Sequence, residues 1–262
     1  KVYHMAAIAR PMPIPDEEYF RVNVMGTKNI LEACVDNGIA KIVYASSISA
    51  VGPTRDGNPV DEETPCRPVD TYGRSKLESE RIVRDFFERY KLPVVVIRYP
   101  VIFGPRDFAA LKLFKGINTG LFPVLAGGLP RFEFSYVKNI VHGLLLAMEK
   151  GKPGEVYHLT DGKTYRLKEI YETIAKAEGK KLLYLPIPRL FFRWMSYLLY
   201  QVERTMKKQL PVGSITIACM TSDYWVVSIE KAWRELGFSQ IVPLQRAVEE
   251  TIQWYKENGY IR

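Results

Sequence analysis

TYGRSKLESERIVRDFFERYKLPVVVIRY, residues 71–99, reads as a long helix that turns back into a buried strand. Leu77, Val83, Phe86, Phe87 and Tyr90 recur at helical spacing along one side of residues 71–91, and Pro93 stops the pattern. VVVIRY (94–99) is a continuous apolar run, the pattern of a parallel strand covered on both faces. KIVYAS (41–46) is a second β-branched strand, and a proline-, glycine- and acid-rich loop at 52–69 joins it to the long helix. Before it, residues 1–7 read as a strand running into a small-residue turn, and 16–37 as a helix stopped by Gly38. Strands alternating with helices predict an α/β architecture built on a doubly wound parallel sheet. Downstream, helices are expected at 137–150, 167–178, 229–236 and 244–255, with a short strand at 156–159 and no internal repeat.

Composition narrows the class. The chain has 262 residues, of which 47% are hydrophobic and 25% charged, which excludes disordered and low-complexity proteins. Cys34, Cys66 and Cys219 are odd in number without CxxC spacing, which argues against a disulfide framework and suits a reducing, cytoplasmic setting. His4, His142 and His158 are scattered, so no metal site is expected. No run reaches the length of a membrane span. The net charge of +8 is concentrated locally: Lys180, Lys181, Arg189, Arg193, Arg204, Lys207 and Lys208 face a single acid, Glu203. No groove-reading module accompanies them, so a nucleic-acid partner is not expected.

Tyr72 and Lys76 stand one helical turn apart and so emerge on one face. An ammonium beside a phenol favours the phenolate, so this pair is expected to lower the tyrosine pKa and make it a proton-exchanging group. A pair at this spacing arises about once by chance in a chain of this composition. What raises its weight is order: Ser46 and Ser47 end the strand before it, where open α/β sheets place ligands.

With these features in place, the chain resembles the extended short-chain dehydrogenase/reductase family. HMAA (4–7) is similar to the family's segment passing the cofactor, which implies cofactor contacts at Ala6 and Ala7. NVMGTKNILEA (23–33) resembles its NxxGTxNxLEA helix and implies a cofactor-contacting Asn23. ASSISAVG (45–52) resembles its SSxxxxG strand end, with Ser47 as catalytic serine; YGRSK (72–76) supplies proton donor Tyr72 and supporting Lys76, both also near the cofactor. RYPVIFGP (98–105) is similar to the motif where Pro100 and Val101 meet the nicotinamide. The resemblance implies NAD or NADP, a Rossmann-type sheet over residues 1–160 and a smaller, mainly helical substrate lobe over 161–262, the two interleaving. The family's glycine-rich turn has no counterpart here, so the chain reads as an N-terminally truncated member, and the residue that chooses between NAD and NADP is not readable.

FSYVKN (134–139) lacks the aspartate usual in sugar-nucleotide enzymes and looks more like the 3β-hydroxysteroid dehydrogenase and dihydroflavonol reductase branch. The expectation is therefore an oxidoreductase interconverting hydroxyl and ketone on a largely apolar small molecule, with a homodimer compatible. The alternatives are a nucleotide-sugar epimerase or dehydratase, with Arg106 and Arg131 available for a diphosphate, and a non-catalytic NAD(P)-binding protein. LFFRWMSYLLYQV (190–202) has three readings: a core helix, a lid over an apolar substrate, or, within 189–208, a peripheral membrane contact.

Overall fold

The computed structural model describes residues 1–9, 14–54, 56–117, 121–125, 131–206 and 224–261. Cys219, Lys207 and Lys208 therefore lie outside the described residues.

Strands β1 (Val2–His4), β2 (Ile42–Ser47), β3 (Val94–Tyr99) and β7 (Val156–His158) form a parallel sheet in the order β1-β2-β3-β7. Alternation along β2 and β3 divides its two faces. Ile42, Tyr44, Val94 and Val96 pack with Leu31 of α2 (Gly26–Asp36) and with Val83 and Phe86 of α3 (Thr71–Tyr90). Val43, Val95 and Ile97 pack on the other side with Ile140, Leu144 and Ala147 of α5 (Val137–Lys150), joined by Leu236 of α8 (Glu230–Leu236) and by Phe238. A sheet with helices on both faces is the doubly wound arrangement expected from the strand–helix alternation.

The expected helix at 16–37 is continuous but not uniform: α1 (Asp16–Tyr19) passes through a π turn at Phe20–Met25 into α2. The π turn carries Asn23, and such turns recur at functional sites. Helix α3 begins on Asp70, whose carboxylate accepts the Gly73 N–H at 2.6 Å, and stops at Lys91 in the left-handed region (φ 53°) before Pro93.

A second sheet sits beside the first. β4 (Val101–Phe103), β6 (Arg131–Tyr136) and β10 (Tyr224–Trp225) are parallel neighbours, and β8 (Thr164–Arg166) joins β6 antiparallel. Its core combines Phe103 and Tyr136, Phe114 of α4 (Leu111–Ile117), Ile174 of α6 (Leu167–Ala177) and Val248 and Tyr255 of α9 (Leu244–Glu257). A third, two-stranded pair joins β5 (Leu121–Leu125) to β9 (Leu183–Ile187). β4, α4 and β6 thus contribute to the core of the second sheet, and α8 packs on the first.

α7 (Arg189–Met206) contains the 190–202 segment, and the core-helix reading does not hold for it. Phe191, Trp194 and Leu198 are all exposed, because among the described residues no other element packs extensively along α7. No described helix is long and apolar enough to cross a membrane.

Candidate active site

The carboxyl ends of β1, β2 and β3 and the first turn of α3 meet at one place, and the predicted residues gather there. Ser47 ends β2 in an extended conformation, and its hydroxyl caps the following 3₁₀ turn (Ile48–Ala50) by accepting the Ser49 N–H at 3.1 Å. The same hydroxyl lies close enough to the Tyr72 phenol to favour its ionised form. Gly73 makes the approach possible: a Cβ there would lie 2.2 Å from the Ser49 carbonyl oxygen, so only glycine lets α3 press its first turn onto this loop.

Lys76 is buried beneath the pair. Its Nζ donates to the Ala45 carbonyl at 2.5 Å and stands 4.4 Å from the centre of the Tyr44 ring. Burial lowers its pKa to about 8, opposed by the Glu80 carboxylate. The phenol behaves differently from the sequence expectation. Tyr72 is pushed upward, chiefly by burial and then by neighbouring Tyr99, with the Ser47 hydroxyl acting the other way. The reason is that the Lys76 ammonium is directed at Ala45 rather than at the phenol, so desolvation prevails. Tyr72 is accordingly held protonated, the form that can donate a proton.

Asn23 acts through the backbone. Its Oδ1 accepts the Ile8 N–H at 2.7 Å and its Nδ2 donates to the Ile8 carbonyl at 3.1 Å and to Ser75 Oγ at 2.9 Å. The buried amide therefore pins the loop after β1, where Ala6 is exposed and Ala7 partly so, to the α3 turn carrying Tyr72. After β3, Pro100 is buried and Val101 is exposed on the same rim. This strip fits a nicotinamide cofactor: small Ala6 and Ala7 leave backbone accessible, Val101 offers apolar surface, and only one of the three Lys76 N–H donors goes to Ala45.

Sequence reasoning missed the support under the site. One turn after Lys76, the Glu80 carboxylate accepts a hydrogen bond from Ser46 and a forked pair from Arg98, with Nε–Oε1 at 3.0 Å and Nη2–Oε2 at 2.7 Å. All three are buried, so α3 is tied to β2 and β3 one turn beyond Lys76. His158 is buried alongside, 3.5 Å from Arg98, and burial with that charge lowers its pKa to about 3. A signal was present: Arg98 is the lone charge in an apolar strand, and a buried guanidinium requires a carboxylate. Lys138 and Asn139, which suggested a branch, face elsewhere. Lys138 pairs with Glu250 at 2.7 Å, while Asn139 bonds Asp161 and the backbone of Ile241 and Val242. Among the described residues no cluster of histidine, cysteine or carboxylate could hold a metal.

Comparison with known proteins gives a consistent picture. Residues 1–160 match the model of the NAD dependent epimerase/dehydratase family. The chain is 26% identical to dTDP-D-glucose 4,6-dehydratase of Mus musculus over 92% of its length, and spans 62% of that relative. It is 30% identical to the 4-hydroxy-2-methyl-3-oxo-4-farnesyl-3,4-dihydroquinoline-1-oxide ketoreductase of Stigmatella aurantiaca, covering 95% of this chain and 75% of that one. Among solved structures, the crystal structure of gox2253 superposes with a TM-score of 0.83 at 26% identity, covering 100% of this chain and 80% of that one.

Proposed function

The chain belongs to the NAD dependent epimerase/dehydratase family, and from that premise we propose that the protein interconverts a ketone and a hydroxyl on a largely apolar small molecule, with NAD or NADP as hydride partner. The observation that carries this reading is the gathering of Ser47, at the carboxyl end of β2, with Tyr72 and the buried Lys76 from the first turns of α3. A carbonyl oxygen seated between the two hydroxyls accepts a hydrogen bond from Ser47 and the proton from Tyr72. Lys76, one turn along the same helix with its ammonium on the Ala45 carbonyl, favours the forming phenolate through its charge at a distance and has donors left for a cofactor hydroxyl. When bound, the nicotinamide supplies or takes the hydride. Ala6, Ala7, Pro100 and Val101 form the strip that would hold it, with Asn23 fixing the loop.

The apolar substrate is supported by the likeness to a ketoreductase whose name carries a farnesyl group. The likeness to a nucleotide-sugar dehydratase favours a second reading, in which Arg106 and Arg131, both exposed, meet a diphosphate. A binding screen on the full-length protein with cofactor separates the two. Sterols, flavonoids and isoprenoid ketones are expected to bind with affinity that does not weaken as salt rises, since buried apolar area is not screened. Micromolar, salt-sensitive binding of UDP- or GDP-sugars, with none for the apolar panel, would favour the second reading and leave the roles of Ser47, Tyr72 and Lys76 untouched.

A further inference from the structure

We propose that α7 is a docking helix for the surface of an anionic lipid bilayer. Leu190, Phe191, Trp194, Tyr197, Leu198 and Val202 are all exposed, Trp194 by 59% and Tyr197 by 64%. At 100° per residue they share one arc of roughly 140°, a broad apolar stripe rather than scattered surface residues. Ser196, Leu199 and Glu203 are partly shielded and fall on the opposite side, so the stripe is turned outward; Met195, also partly shielded, lies at its edge and Gln201 within it. Trp and Tyr within it are the side chains that settle at a water–lipid boundary.

Charge selects the occupant. Arg189, Arg193 and Arg204 lie within the helix sequence, and Lys180 and Lys181, both exposed, precede it. Apolar stripe and cations together match an interfacial helix on anionic headgroups. A second copy of this chain fits less well. A symmetric pairing sets the same patch against itself, bringing two segments of like charge together around the apolar contact.

The test is sedimentation of the full-length protein with vesicles of phosphatidylcholine alone or mixed with phosphatidylglycerol. Binding to the anionic vesicles is expected to exceed binding to neutral ones by at least tenfold. Replacing Lys180 or Lys181 with Gln should weaken it by about fivefold each. Trp194→Glu with Leu198→Glu should abolish it while leaving the circular dichroism spectrum unchanged, because both side chains are exposed on the outer side of α7. Brominated acyl chains should quench tryptophan fluorescence in the wild type and not in that variant. Failure to bind anionic vesicles, or binding indifferent to these substitutions, would overturn the proposal. So would a dimer that the double substitution dissolves without any vesicle binding, which would identify a second copy as the occupant. A rise in KM without loss of vesicle binding would assign the stripe to a substrate lid instead.

Discussion

Tyr72→Phe is expected to lower turnover at least about 100-fold while leaving cofactor affinity within error of the wild type. The substitution removes the proton donor and almost no volume, and the Ser47 hydroxyl keeps its bond to the Ser49 N–H. The loss should appear in kcat and kcat/KM alike, the mark of an interaction made in the transition state. A companion pH profile reports on Lys76. With a pKa near 8, its positive charge is present below that value and lost above it, so activity should fall on the alkaline side. Steady-state kinetics with a competent ketone, alongside a cofactor titration, measure both. Near-native turnover in Tyr72→Phe would remove Tyr72 from the chemistry.

Glu80→Ala should strongly destabilise the first lobe. It strips a buried guanidinium of its partner, a change that costs about 3–5 kcal/mol against a total stability of about 5–15 kcal/mol. It also frees Ser46 and with it the end of β2, so remaining folded protein should be catalytically impaired. Denaturant titration measures the first effect. Glu80→Met combined with Arg98→Met should recover much of the stability, since well-packed apolar side chains replace buried ion pairs at little cost, but should not restore the Ser46 tie. Stability of Glu80→Ala within about 1 kcal/mol of the wild type would show that the pair is not the fastening inferred here.

Much of this site was legible before the fold was seen, because its parts obey local rules. The strands at 41–46 and 94–99 announce themselves by uninterrupted apolar residues, and Tyr72 and Lys76 by spacing of one turn. What was not legible depends on contacts between distant segments. β4, β6, β8 and β10 are short, and β6 mixes Arg131 and Glu133 with apolar residues, so no period distinguishes them from loop. Glu80 looks like one more surface carboxylate until Arg98 and Ser46 are brought beneath it. The direction of the Tyr72 shift likewise could not be read from spacing. Lys76 is on the same face, but its ammonium goes to the Ala45 carbonyl, and burial of the phenol prevails. Asn139 illustrates the converse: a residue quoted for its bearing on substrate proves to be a clamp on the backbone of Ile241 and Val242.

The central claim is net hydride transfer to an apolar ketone, with Tyr72 giving the proton. Absorbance of the reduced nicotinamide tests it most directly. On mixing full-length protein, NADH or NADPH and an apolar ketone, the account predicts cofactor oxidation equal in moles to the alcohol formed. With cofactor deuterated at the nicotinamide C4, the label should appear on the carbinol carbon. Conversion of a nucleotide sugar with no net change in cofactor absorbance, and no cofactor oxidation with any apolar ketone, would contradict it.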